Sequence, residues 1–325
     1  MMKRILQAVL IAGCAVGLGT AANAAGAYPE KPLRLVVPFP PGGGTDTAGR
    51  QIADRLMREL DIEVVVENRA GAGGNIGAQS VAKAAADGYM LLVGTVGTQI
   101  VNRVLFPSVE FDPIRDFVPV GWFSSVPNVL VVAADSPFKT TQDLIDAGGK
   151  GGEGLTYGSG GTGSTTHLAV ELFKEMADLK LTHVPYKGSA PAVVDLIGGR
   201  VDFMIDNLSS AEPHIRSGRL RVLGVTTGER LQAYPEVPAL KELPVLSDYE
   251  AVGWTGVFAP RGLDPARLET LSNAMASDND REAVGARVAA SGAQYVGAGS
   301  AAFGEFLELE RKRWIPIAEN ALKSD

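Results

Sequence analysis

Two glycine-rich stretches are where this sequence could do chemistry: Pro38-Phe39-Pro40-Pro41-Gly42-Gly43-Gly44-Thr45-Asp46 and Gly158-Ser159-Gly160-Gly161-Thr162-Gly163. Each lies between a short strand-like run and a segment whose apolar residues recur at helical spacing. Glycine at such a junction lets the backbone approach a ligand, and the N–H groups that begin a helix carry about half a positive charge. Something negative is expected at both: a nucleotide phosphate, an oxyanion or a free carboxylate.

A Walker loop needs lysine and a hydroxyl after its last glycine, and Arg50-Gln51 follow Gly49 instead. The second stretch does match the Gly-x-Gly-x-x-Gly dinucleotide fingerprint, which makes an NADP-linked oxidoreductase the rival reading. The acidic residue that should close the next strand is missing there, because that strand runs into Tyr186-Lys187-Gly188; Lys187 would have to meet a ribose phosphate. No Gly-x-Ser-x-Gly elbow occurs, and Ser80-Val81-Ala82-Lys83 lacks its companion motifs and lies in an amphipathic helical pattern. His167, His183 and His214 are too scattered for a local metal motif. No catalytic residue, metal or cofactor is therefore assigned. What remains is an anion held by two facing helix starts, where charge-assisted hydrogen bonds of roughly 1.5–3 kcal/mol each could offset carboxylate desolvation. Each feature also has a plain structural use: the glycines as tight turns, Asp46 as a first-turn acid, Ser159 or Thr162 as a cap.

The elements that must position these loops follow from periodicity. With 325 residues the chain is long enough for two domains, and short β-branched runs alternate with amphipathic helical patterns, the signature of an α/β fold with mainly parallel strands. Leu33 to Val37, the first glycine loop and a helix bearing Ile52, Leu56 and Leu60 make the first unit. Val64 to Val66 and Tyr89 to Val93 are the next strands. The proline-broken stretch from Phe111 to Phe138 reads as the passage between domains, after which strand, glycine loop and helix begin again, with Leu168, Leu172, Met176 and Leu179 on the buried face. Ligands on such sheets gather at the carboxyl ends of the strands, where the glycine loops lie.

Lys3-Arg4, the apolar segment from Ile5 to Gly19 and Ala22-Asn23-Ala24 read as a secretory signal peptide cut near Ala24. Ile11-Ala12-Gly13-Cys14 resembles a lipobox, but apolar sequence continues past Cys14, so lipid anchoring is the lesser expectation. Cys14 is the only cysteine, so a chain cut at Ala24 has no thiol nucleophile, thiolate metal site or disulfide. Losing Lys3 and Arg4 moves the formal charge from -7 to -9, and no cluster of lysine and arginine suits nucleic acid.

Taken together, YPEKPLRLVVPFPPGGGTD, VVENRAGAGGNIGAQSVAKAAADGYMLLVGT, FDPIRDFVPV, YGSGGTGSTTHLAVELF, HVPYKGSAPAVVDLIGGRVDFMIDN and VPALKEL make the chain resemble the Bug-type receptors, the substrate-binding proteins of tripartite tricarboxylate transporters. The resemblance runs from about Tyr28 to the C-terminus. It implies a two-domain periplasmic binding protein of type II-like α/β architecture with two crossover strands, a first domain of residues 25–130 plus 254–325 and a second of 131–253. It implies a monomer that closes on a small mono- or dicarboxylate and delivers it to membrane permease subunits, or, on the same fold, a sensory receptor that presents its closed form to a signalling partner. Carried over motif by motif, the first-domain contacts are Phe39, Gly42, Gly43, Gly44 and Asp46, with Asn75, Thr95 and Thr98 from the next two strand ends. From the second domain come Ser159, Thr162, Ser164 and Thr165, and Asp206 as a selectivity residue that would accept from a ligand amine or hydroxyl. Phe39 and Trp254 would stack on an aromatic ligand or simply pack. One departure is Gln99, where many members carry histidine; it is neutral and both donates and accepts.

Overall fold

The computed structural model describes residues 28–106, 108–149, 152 and 154–324, with the side chains of 321–324 left undescribed. The basic start, the apolar segment, Cys14 and Ala24 lie outside these residues.

Leu33–Val37 (β1) is buried at every position but Arg34, as a strand covered on both faces must be. It leads through the first glycine loop into Gly44–Leu60 (α1), whose Ile52, Ala53 and Leu56 pack back on the sheet. Gly49 brings helix and strand into contact: a Cβ placed there would lie 2.5 Å from Val37 Cγ2. Val64–Asn68 (β2), Asn75–Ala82 (α2), Met90–Gly94 (β3) and the short Asn102–Leu105 (α3) follow. β2 and β3 flank β1 in parallel.

The long strand Phe117–Val126 (β4) then passes through Pro127 into Asn128–Ala133 (β5), which belongs to a second sheet. There Thr141–Gly148 (α4), Leu155–Ser159 (β6), Thr165–Ala177 (α5), Leu181–Pro185 (β7), Ser189–Ile197 (α6), Phe203–Asn207 (β8), Leu208–Arg216 (α7) and Leu220–Val225 (β9) alternate. The chain returns along Gly253–Pro260 (β10) and ends with Pro265–Ala276 (α8), Arg281–Ala290 (α9), Gln294–Gly299 (β11) and Ser300–Ser324 (α10).

The first sheet runs β11-β4-β10-β3-β1-β2 and the second β7-β6-β8-β5-β9. Apart from β11 these are the same scheme: a parallel trio ending in the loops of interest, then a strand arriving from the other sheet, then an outer strand. The arriving strands, β10 and β5, run antiparallel to both neighbours. Parallel pairing between the described strands is thus confined to the trios, because a chain that crosses between sheets enters from the opposite end. In α5, Leu168 and Leu179 are buried and Leu172 and Met176 partly so, with Phe173 completing that face.

The two halves are tied behind the sheets by α10, which packs on β4 and reaches α5. Glu310, almost wholly buried on α10, accepts from the indole N–H of Trp254 at 3.0 Å and of Trp314 at 2.8 Å through one oxygen. Its other oxygen accepts from Arg313 at 3.1 Å. Trp254 lies on the returning strand β10 among Phe258, Phe303 and Phe306, so its ring packs in the core. Trp122 on β4 stacks on Phe306 with ring centroids 3.7 Å apart. Among the described residues no helix is long and apolar enough to cross a membrane, and no cluster of side chains is suited to hold a metal ion.

Candidate functional site

The loop after β1 is braced from below. Gly42, with φ +83, turns its N–H to Asp46 Oδ2 at 2.9 Å, and Arg50 Nε reaches the same oxygen at 3.0 Å. Asn68, the last residue of β2, donates to Asp46 Oδ1 at 2.9 Å and to the Phe39 carbonyl at 3.0 Å. Burial opposes ionisation of Asp46, but the hydrogen bonds from Gly42, Asn68 and Arg50 outweigh it and hold the carboxyl below its ordinary range. Asp46 is therefore spent on the loop. It does not cap the helix: the N-cap is Gly43, and no side-chain cap bond is made there among the described residues. Gly42, Gly43 and Gly44 are exposed, and among the described residues no side chain caps the N–H groups that begin α1.

The loop after β6 is braced more tightly. The Ser159 hydroxyl is buried, lies 2.6 Å from His183 Nε2 and accepts from the Gly161 N–H at 3.1 Å. The Gly160 N–H goes to Thr166 Oγ1 at 2.9 Å and the Gly163 N–H to His167 Nδ1 at 3.3 Å. Ser164 caps α5 by accepting from the His167 N–H at 3.2 Å. The His167 and His183 rings stack at 4.1 Å, and Tyr157 stacks on His183 at 4.9 Å. This leaves Thr162 exposed and Ser164 and Thr165 half-buried at the start of α5.

Among the remaining expected contacts, Thr95 is half-buried while Thr98 is buried, its hydroxyl accepting from the Thr95 N–H at 3.1 Å. Asn75 begins α2, and its side-chain oxygen accepts from Asn102 Nδ2 at 2.7 Å; Asn102 also donates to the Gly73 carbonyl at 2.9 Å. Gln99, in the π-turn Gly97–Val101, is 1% exposed, and neither of its amide atoms has a hydrogen-bond partner among the described residues. Asp206, near the end of β8, has no exposed surface; one oxygen accepts from Ser189 at 2.5 Å and the other has no hydrogen-bond partner among the described residues. Burial pushes its carboxyl up. Phe39 is half-buried beside Gly74 and Thr98.

The loops of the two halves oppose one another. A Cβ placed on Gly44 would lie 3.8 Å from Ser209 Oγ at the start of α7, and one on Gly97 3.6 Å from the Gly163 carbonyl oxygen. The structure thus brings the glycine loop before α1 close to the first turn of α7, and the turn at Gly97 close to the loop before α5. Asp46, Thr98, Ser159 and Asp206 each have a protein partner: Asn68, Thr95, His183 and Ser189. Sequence reasoning missed Asn68, Asn102, Ser189 and Ser209, and weighed His167 and His183 only as metal ligands. Asn68 alone left a trace, as an amide closing an apolar strand.

Comparison with known proteins gives this arrangement its relatives. BugT of Bordetella pertussis is 38% identical over 318 residues, which is 97% of each chain. The solved structure of an R. palustris protein with adipate superposes with a TM-score of 0.82 at 38% identity, covering 90% of this chain and 98% of that one. MatC from Rhodopseudomonas palustris, with bound malate, gives 0.78 at 30% identity over 90% of this chain and 100% of its own. The family model described as tripartite tricarboxylate transporter family receptor matches residues 48–322, and the chain belongs to that family.

Proposed function

We propose that the protein is an extracytoplasmic solute receptor that closes its two halves on a small mono- or dicarboxylate, aliphatic or aromatic, and delivers it to the membrane permease of a tripartite tricarboxylate-type transporter. The observation that carries this reading is the uncapped start of α1: Gly43 supplies no acceptor, Asp46 is drawn away to Gly42 and Asn68, and the first-turn N–H groups are left for an external anion. Ligands of relatives, adipate and malate, have the matching chemistry.

In this reading one ligand carboxylate lies on the N–H groups of Gly43 and Gly44, while Gly42, its own N–H held by Asp46, turns the backbone toward it. Phe39, Asn75 and Thr95 wall the same side, and Thr162, Ser164 and Thr165 answer from the other half. Asp46, Thr98, Ser159 and Asp206 hold the loops in shape. Residues 25–130 with 254–325 move against 131–253, and closure completes a cage that neither half makes alone. The receptor acts as a monomer in the periplasm after its leader is cut near Ala24, without catalysis and without a cofactor. The NADP alternative is weakened by the second loop, whose Gly160, Gly161 and Gly163 N–H groups already bond to Thr166, Ser159 and His167.

A thermal-shift screen of carboxylic acids tests the reading. An acid present at 1,000 times its dissociation constant should raise stability by about 4 kcal/mol. NADPH should change nothing. Stabilisation by NADPH with no response to any acid would overturn it.

A further inference from the structure

Gly292 sits in the turn between α9 and β11, far along the chain from either glycine loop, with φ +73 and no exposed side. A Cβ placed on it would lie 2.8 Å from both the backbone nitrogen and Cα of Ser209, and 3.1 Å from Ser209 Cβ. Real Cβ atoms do not approach that closely, and backbone, unlike the tip of a long side chain, cannot swing away. Ser209 lies in the first turn of α7, which packs on β5, β8 and β9 of the second sheet, whereas α9 and β11 pack on the first. The contact therefore crosses the cleft. Ser209 is also the residue that faces Gly44 in the proposed carboxylate loop.

We propose that Gly292 is a positioning residue for ligand capture: its missing side chain lets the start of α7 seat against the first half, and any larger residue holds the cleft ajar. This rests on the two-domain clamp reading. The ligand itself need not touch Gly292. An acid that binds only the closed form would bind more weakly in proportion to the closed population lost.

Paramagnetic relaxation enhancement between two labelled cysteines tests this, because it detects a closed form even when it is a minor species. In the full chain carrying Cys14→Ser, labels go at Ala283→Cys on α9 and Ser217→Cys after α7, both exposed. Wild type should reach the short distance, more so with adipate, and Gly292→Ala should lose it and bind adipate at least ~10-fold more weakly. Gly199→Ala is the control: its φ of +67 imposes the same backbone strain, but no atom lies within 4 Å. It should behave as wild type. If Gly292→Ala does not fold, Ser209→Val crowds the contact from the other side and should open the cleft. A folded Gly292→Ala, or failing that Ser209→Val, that closes like wild type overturns the role of Gly292 and leaves the receptor reading standing. Wild type that never closes overturns both.

Discussion

The side-chain nitrogen of Asn68 lies 2.9 Å from Asp46 Oδ1 and 3.0 Å from the Phe39 carbonyl, so the end of β2 fixes the loop that follows β1. Asn68→Ala leaves both oxygens without that donor. A stability loss of about 1–2 kcal/mol is expected. Because the loop then no longer presents its N–H groups in register, acid binding should fall at least ~10-fold. Urea unfolding and titration calorimetry read the two effects separately.

Asp46 makes the same brace depend on pH. Its carboxyl titrates below the ordinary 3.8 in the folded protein, so the unfolded chain takes up the proton first. The stabilisation it gives is full above the unfolded value and is lost as pH falls through the lower folded value. The stability that Asp46 contributes should therefore hold down to about pH 4 and drop below it. Asp46→Asn should be less stable than wild type at pH 7, with the gap closing in strong acid.

Gly43 separates binding from folding. Its backbone angles, φ -85 and ψ 172, suit any residue, and a Cβ there would meet only the Pro40 carbonyl at 3.9 Å. Gly43→Leu should cost no more than about 1 kcal/mol of unfolding free energy, as loss of a favoured N-cap residue does. The side chain would occupy the approach to the α1 N–H groups, so the thermal shift given by any bound acid should vanish. An unchanged shift would mean that the anion lies elsewhere.

Behind the sheets, Glu310→Ala would strand two buried indole N–H groups. The expected cost is about 2–4 kcal/mol by chemical denaturation. Burial raises the Glu310 carboxyl above 4.5, so the folded state binds this proton more readily than the unfolded one. Its contribution is greatest below the unfolded value and fades as pH rises through the folded one. Glu310→Gln, which keeps an acceptor for the indoles, should lose less stability and remove that part of the pH slope.

The glycine loops were legible in the sequence because glycine at a strand end is itself the signal: no other residue leaves the backbone so open. The strand and helix alternation was legible for a similar local reason. The direction of β5 and β10 was not, since it is set by which sheet the chain is leaving. Nor does residue type tell which way a hydroxyl or carboxylate turns. Ser159, Thr98, Asp46 and Asp206 have the chemistry to meet a ligand, yet their partners are His183, Thr95, Asn68 and Ser189, several of them distant in sequence. Gly292 was invisible for the same reason, because its importance lies in the Ser209 backbone opposite it.

The chain has three tryptophans, and all of them belong to the aromatic and Glu310 cluster that joins β4, β10 and α10. Intrinsic fluorescence of this protein therefore originates at the joint and not in the cleft. A bound acid, even an aromatic one, would alter the emission chiefly by bending the chain at Trp122, Trp254 and Trp314. In the proposed clamp the three tryptophans would therefore serve as a gauge of domain motion that needs no added label.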